Sequence, residues 1–118
     1  MATVLIVDDS RTSRRILRNI LTENGYEIAG EAENGQIGYE KYIELKPDLV
    51  TLDITMPVLD GLGCLDKIMQ LDKEANVIMV TAAGQKSKMV EAIKLGAAEF
   101  IQKPFEPEQI LSVVKTVI

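Results

Sequence analysis

Aspartates follow two of the apolar runs in this 118-residue chain. Asp8 and Asp9 come directly after the first run, and Asp53 comes directly after a later one. Carboxylates that are brought close together repel one another, which raises their pKa values unless a cation neutralises them. Mg²⁺ binds oxygen ligands and commonly takes one or two carboxylates, waters and phosphate oxygens. If the fold places the two runs side by side, the three aspartates predict a magnesium site.

A hydroxyl and an ammonium follow two further apolar runs. Thr81 ends one run, and Lys103 comes shortly after another. An incoming phosphoryl group would receive a hydrogen bond from Thr81 and positive charge from Lys103. Positioning and charge stabilisation are most of what phosphoryl transfer requires, and a carboxylate can serve as the nucleophile. The five groups together therefore favour a phosphoryl-transfer site in which one of the carboxylates forms an aspartyl phosphate.

Each of these residues, taken alone, also fits an ordinary structural role. Asp8 or Asp9 could cap the helix that follows, and Asp53 could be a turn residue. Thr81 alone would be a strand threonine, and Lys103 alone a solvated surface lysine. The convergence of all five groups on one edge of a sheet is what these separate roles leave unexplained.

The elements that must position these groups alternate between strands and helices. Three runs (4–7, 49–52 and 77–80) are continuous and largely β-branched, as expected of buried parallel strands; 100–101 is a shorter run, and 27–32 suits an edge strand. Helical patterns lie between them: one that begins after a cap at Ser10 and ends before Gly25, and others at about 35–45, 60–70, 86–95 and 107–117. Five such βα units predict an α/β fold, a doubly wound parallel sheet with right-handed crossovers. The strand order 2-1-3-4-5 places the polar second strand at an edge and strands 1 and 3 side by side.

The first helix has two distinct faces. Four apolar residues form a stripe for the core: Ile16, Leu17, Ile20 and Leu21. Four arginines form a basic face, which we expect to be solvated: Arg11, Arg14, Arg15 and Arg18.

Composition excludes several classes of function. The formal net charge of −5 disfavours direct nucleic-acid binding, because phosphates would be repelled. The absence of histidine excludes His-based catalysis and His-liganded zinc within this chain, and Cys64, the only cysteine, reads as a small core residue. No apolar run approaches the length of a membrane span and no signal peptide is visible, so we expect a cytosolic protein without membrane contact.

Four motifs resemble those of a known family. They are LIVDD at 5–9, DITMP at 53–57 followed by Asp60-Gly61, Thr81-Ala82, and Lys103-Pro104-Phe105. In this order and spacing they are similar to the response-regulator receiver family, with its flavodoxin-like fold, and most similar to its stand-alone chemotaxis members. The match runs essentially from end to end, so we take 1–118 as one receiver domain.

The resemblance implies roles for the acidic residues. It implies that Asp53 is the phosphoacceptor and that Asp9, Asp53 and the main-chain carbonyl of Thr55 bind Mg²⁺ directly. Asp8 would then help to hold a metal-bound water.

It also implies a switch. Lys103 would contact the phosphoryl group, next to a cis Lys103–Pro104 bond. Thr81 would move towards the phosphoryl oxygens on activation, and Phe100 would turn inward into the space that Thr81 vacates. The alternative for Phe100 is an ordinary buried core aromatic with one position.

The implied function is that of a phosphoacceptor in two-component signal transduction. The donor would be a histidine kinase of chemotaxis, and the partners a flagellar switch protein and a phosphatase. The protein would be a monomer that promotes only its own phosphorylation and autodephosphorylation, and so no separate enzymatic reaction. The alternative is the receiver part of a larger DNA-binding regulator, or a phosphorelay intermediate.

Three other classes fit the residues less well. A phosphatase of the haloacid dehalogenase type needs an aspartate two residues after the nucleophile, where this chain has Thr55. A flavin mononucleotide carrier would have its phosphate repelled by Asp8 and Asp9. A dinucleotide-binding domain would need a G-x-G-x-x-G turn that the sequence lacks.

One departure from the family concerns a glycine. Gly38 stands inside the second helix, where the family commonly has alanine. We expect it to cost roughly 1 kcal/mol of helix stability relative to alanine.

Overall fold

The computed structural model describes residues 2–118, in which five strands and five helices alternate. The strands are β1 (Thr3–Val7), β2 (Glu27–Ala32), β3 (Leu49–Asp53), β4 (Val77–Thr81) and β5 (Glu99–Gln102). The helices are α1 (Arg11–Glu23), α2 (Gly35–Leu45), α3 (Gly61–Leu71), α4 (Lys86–Leu95) and α5 (Pro107–Val117). The elements predicted from the sequence are all present, with bounds within a few residues of those expected.

The strands form one parallel sheet in the order β2-β1-β3-β4-β5. This confirms the predicted doubly wound α/β fold, and the same order is implied by the family resemblance. β1 and β3 are in register with Val7 opposite Leu52, so the residues that follow them emerge side by side. β2 lies at the edge, as its half-polar sequence predicts.

Helices cover both faces of the sheet. Along β1 the side chains alternate: Leu5 and Val7 belong to the core beneath α2, α3 and α4, and Val4 and Ile6 to the core beneath α1 and α5. The apolar stripe of α1 is narrower than predicted, because Ile16 is 42% exposed. The expectation that Ile16 faces the core is therefore wrong; Leu17 and Leu21 are the buried members of the stripe.

Gly38 lets α2 approach β1 closely. A Cβ atom on Gly38 would lie 2.8 Å from Cγ1 of Val7, which is closer than packed carbon atoms tolerate. Alanine would bring its higher helix propensity together with a clash against a buried strand. The propensity cost of Gly38 within the helix stays a prediction, and the packing against Val7 gives a reason for glycine at this position.

Cys64 is fully buried on α3, as predicted. Burial raises the pKa of its thiol to about 12. Among residues 2–118, no helix is both long and apolar enough to cross a bilayer.

Candidate functional site

The three predicted aspartates meet at the carboxyl edge of the sheet. One carboxylate oxygen from each of Asp8, Asp9 and Asp53 lies within 4.8 Å of those of the other two. Asp8 and Asp53 are buried and Asp9 is exposed, so the cluster opens to solvent on one side. The pairing of β1 with β3 produces this arrangement, because both strands end at the same level.

Asp8 and Ser10 organise the start of α1. The Ser10 hydroxyl accepts a hydrogen bond from the backbone N–H of Ser13 (3.2 Å), which confirms the predicted cap. Oδ1 of Asp8 accepts from the N–H of Ser10 (2.8 Å), and its Oδ2 faces Lys103. No hydrogen bond or ion pair within residues 2–118 occupies the carboxylate of Asp9, so this side chain is not a helix cap.

Lys103 reaches the cluster from the loop after β5. Its Nζ lies 3.1 Å from Oδ2 of Asp8 and 3.6 Å from Oδ2 of Asp53. The backbone N–H of Lys103 donates to the carbonyl of Thr81 (2.7 Å), which fixes the loop against the end of β4. The Lys103–Pro104 peptide bond is cis, as expected. Lys103 is therefore bound to the acidic cluster, and the interpretation of a merely solvated lysine is wrong.

The carboxyl group of Asp53 has a raised pKa. Its pKa is raised to about 6, chiefly because burial disfavours the charged carboxylate and also because Asp8 and Asp9 repel it. Lys103 and the N–H of Ile54 act in the opposite direction and lower this pKa. A cation that neutralised the cluster would favour the ionised form of Asp53.

The donor set of the cluster fits Mg²⁺. Its candidate ligands are carboxylate oxygens, and the exposed side next to Asp9 leaves room for waters, of which Mg²⁺ usually retains several. Thr55 lies two residues beyond Asp53 and is exposed, between the buried Ile54 and Met56.

Thr81 and Phe100 lie on the neighbouring strands β4 and β5. The Thr81 side chain is buried, and its hydroxyl donates to the carbonyl of Ile101 (3.4 Å). Phe100 is 37% exposed. The interpretation of Phe100 as an ordinary buried core aromatic is therefore wrong, and its ring has solvent on one side.

The basic face of α1 is only partly solvated. Arg14 donates from Nη1 to the carbonyl of Asp8 (2.7 Å), and its Nε lies 3.5 Å from Oε1 of Glu31. Nη1 of Arg18 lies 2.7 Å from Oε2 of the same glutamate. Arg11 and Arg15 are exposed, as predicted. Simple solvation is thus wrong for Arg14 and Arg18, because β2 places Glu31 opposite them.

Gln85 lies beside the site, although no sequence pattern pointed to it. Its Oε1 accepts from the N–H of Ala82 (2.6 Å), and its Nε2 donates to Oγ1 of Thr55 (2.8 Å). It thereby joins the loop after β4 to the loop after β3. The contact forms because the hydrogen-bond ladder between β3 and β4 ends at this point. A sequence pattern does not show where such a ladder ends.

Comparison with known proteins agrees with the geometry. The family model described as "Response regulator receiver domain" matches residues 4–115. The chemotaxis protein CheY of Thermotoga maritima is 49% identical over 97% of this chain and 95% of its own length, and CheY of Bacillus subtilis is 48% identical over 94% and 92%. In a crystal structure of a CheX-CheY-BeF3-Mg²⁺ complex from Borrelia burgdorferi, a chain with 41% identity superposes with a TM-score of 0.95, over 98% of this chain and 88% of that one. Receiver domains of this kind are signalling proteins of two-component systems that bind Mg²⁺ at an acidic pocket. The chain belongs to the response regulator receiver family, and within it to the CheY-like members.

Proposed function

We propose that Asp53 is the phosphoacceptor of this receiver and that the donor is the phosphohistidine of a histidine kinase. The observation that carries the proposal is the buried Asp53 carboxylate 3.6 Å from the ammonium of Lys103, inside a cluster of three carboxylates. An oxygen of this carboxylate attacks phosphorus, the P–N bond breaks, and the imidazole leaves with the electron pair.

Several surrounding residues contribute to balancing the negative charge of the carboxylates and the phosphoryl group. Lys103 lies where it supplies positive charge to the phosphoryl oxygens, and the Thr81 hydroxyl lies on the adjacent strand as a donor. Asp9, Asp53 and the main-chain carbonyl of Thr55, with Asp8 in support, would hold Mg²⁺, which would supply positive charge to offset the carboxylates. Burial of Asp53 keeps competing water from most of its surface.

We further propose that the phosphorylated form acts by changing its affinity for partner proteins. The curated relatives are chemotaxis proteins, which supports a chemotaxis kinase as donor and a flagellar switch protein and a phosphatase as partners. The Borrelia complex, in which a CheY binds CheX with BeF3 and Mg²⁺, supports partner binding by an activated receiver. In this proposal the only chemistry that the chain promotes is its own phosphorylation and dephosphorylation.

The experiment that tests the acceptor uses a small-molecule donor. Acetyl phosphate with Mg²⁺ should add one phosphoryl group to the wild-type protein, as measured by intact mass. Asp53→Asn should prevent the addition, and Asp66→Asn, on α3 outside the cluster, should leave it unchanged. Labelling of Asp53→Asn to the wild-type extent would remove Asp53 from this role.

A further inference from the structure

The side chain of Gln85 bridges the two loops that flank Asp53. Gln85 directly precedes α4, but it makes no side-chain bond to the helix it precedes. Its amide faces the N–H of Ala82 with Oε1 and the hydroxyl of Thr55 with Nε2. The backbone N–H can only donate, so the oxygen of the amide must face Ala82 and the nitrogen must face Thr55. The contact is a two-ended bridge with a fixed orientation.

The N–H of Ala82 has no backbone partner in the sheet, because the hydrogen-bond ladder between β3 and β4 ends before it. The carbonyl of Thr81 points towards β5, where it accepts from Lys103. The N–H in the same trans peptide unit points the opposite way, towards β3. A regular parallel ladder would continue from Ile54 N–H to Val80 carbonyl (3.2 Å) and then from Ala82 N–H to Ile54 carbonyl.

The chain of β3 turns away at this point. The N–H of Gly61 donates to the carbonyl of Ile54 instead (2.8 Å), and Oε1 of Gln85 accepts a hydrogen bond from the N–H of Ala82. A backbone donor therefore lies at the end of β3 beside Ile54, the residue that follows Asp53, and the carboxylate of Asp53 belongs to the cluster at the same edge of the sheet. Such a donor suits an anionic oxygen carried by that carboxylate.

We propose that Gln85 is a positioning residue that occupies the N–H of Ala82 until a phosphoryl group on Asp53 displaces it. This inference rests on the proposed role of Asp53. A phosphoryl oxygen and the Gln85 amide compete for the same donor, so the bridge stabilises the unphosphorylated state alone. When Gln85 is displaced, its bond to Thr55 is also lost.

The position of Gln85 gives the displacement a direct route to α4. The helix begins at the next residue, Lys86. Release of the amide frees the residue that joins the helix to the loop after β4. Occupation of Asp53 is thereby linked to the start of α4 through one side chain, and the link does not require the ring of Phe100 to move.

The first test needs neither metal nor phosphoryl analogue. In EDTA, the Ala82 amide should exchange slowly with D2O in the wild-type protein, as measured by NMR. Gln85→Ala should accelerate this exchange, and Gln109→Ala, an exposed glutamine in the first turn of α5, should not. Equal exchange rates in wild type and Gln85→Ala would overturn the bridge, whatever the role of Asp53.

The second test measures competition. With Mg²⁺ present, Gln85→Ala should bind beryllofluoride about fivefold more tightly than wild type, the effect of one net hydrogen bond. Gln85→Glu keeps an acceptor for Ala82 and should show no gain. Thr55→Val should add nothing further in the Gln85→Ala background, since the bridge is already absent.

The outcomes separate the two proposals. Unchanged or weaker beryllofluoride binding by Gln85→Ala, with wild-type binding intact and abolished by Asp53→Asn, would overturn the competition and leave the phosphoacceptor standing. A lower melting temperature of Gln85→Ala without a change in affinity would assign Gln85 a structural role only and would also overturn it. A wild-type protein that does not bind beryllofluoride would overturn both.

Discussion

Lys103 forms its shorter ion pair with Asp8, at 3.1 Å, although Asp53 also lies within 3.6 Å of the same ammonium. The lysine therefore connects three strands of the sheet: it follows β5, and it contacts residues at the ends of β1 and β3. Its charge is shared between two buried carboxylates, which limits how far it can offset the repulsion between them.

Replacement of Lys103 by methionine should raise the pKa of Asp53 above its value of about 6, because the positive charge of Lys103 lowers that pKa. The pKa can be followed by ¹³C NMR of the Asp53 carboxyl carbon in a pH titration with EDTA present. Lys115→Met, on α5, is the matched control and should leave the titration unchanged. An unaltered midpoint in Lys103→Met would mean that Lys103 does not act on Asp53 electrostatically.

The stability of the metal-free protein should depend on pH through Asp53. Its pKa is raised from 3.8 to about 6 in the folded state, so the folded protein holds this proton more tightly than the unfolded chain. The resulting stabilisation is present below about pH 4 and is lost as the pH rises through about 6. Asparagine at position 53 does not titrate. Between about pH 4 and pH 6, the free energy of unfolding of Asp53→Asn should therefore rise by about 2 kcal/mol relative to that of wild type. Urea unfolding in EDTA measures the difference; a difference that is independent of pH would contradict the prediction.

Asp9→Ala should weaken Mg²⁺ binding by at least tenfold while it stabilises the protein in EDTA. The first effect follows from loss of a proposed ligand, and the second from relief of repulsion against Asp53. Magnesium titration by calorimetry and a thermal melt in EDTA test the two halves separately. Because Ser10 and Asp8 already cap α1, loss of stability in EDTA would have to come from a role of Asp9 outside capping and would contradict the second half.

Thr81→Ala should separate phosphorylation from the response. The Thr81 hydroxyl donates weakly to the carbonyl of Ile101 (3.4 Å), so it can transfer to a phosphoryl oxygen at little cost. Its loss should leave the labelling of Asp53 nearly intact and remove roughly 1–2 kcal/mol of the bias towards the activated state.

The same switch also predicts a movement of the Phe100 ring. Crystal structures with and without beryllofluoride should show its ring exposed in one state and buried in the other. A ring that stays 37% exposed in both would exclude the coupled movement, without affecting the acceptor assignment.

The sequence predicted the elements, the strand order and the meeting of Asp8, Asp9, Asp53 and Lys103, because these depend on local periodicity and on the geometry of parallel sheets. It did not predict contacts that depend on the final packing. Arg14 looks like any solvated helix arginine until β2 places Glu31 beside it.

Gln85 illustrates the same limit. Its bridge exists because the ladder between β3 and β4 ends one hydrogen bond before a regular ladder would. The spacing of residue types in the sequence does not predict where the ladder ends. Val58 adds a further case, since a β-branched residue with a φ of 68° is held in the left-handed region by its turn.

Because Cys64 is buried, the wild-type sequence is a convenient starting point for a fluorescent reporter. A thiol with a pKa of about 12 is almost entirely protonated at neutral pH, and the thiolate is the form that reacts with maleimides. A single new cysteine in place of the exposed Val90 on α4 would therefore take a dye selectively. Since the chain has no tryptophan, one introduced near that dye would be its only indole quencher, and signalling could be recorded optically in real time.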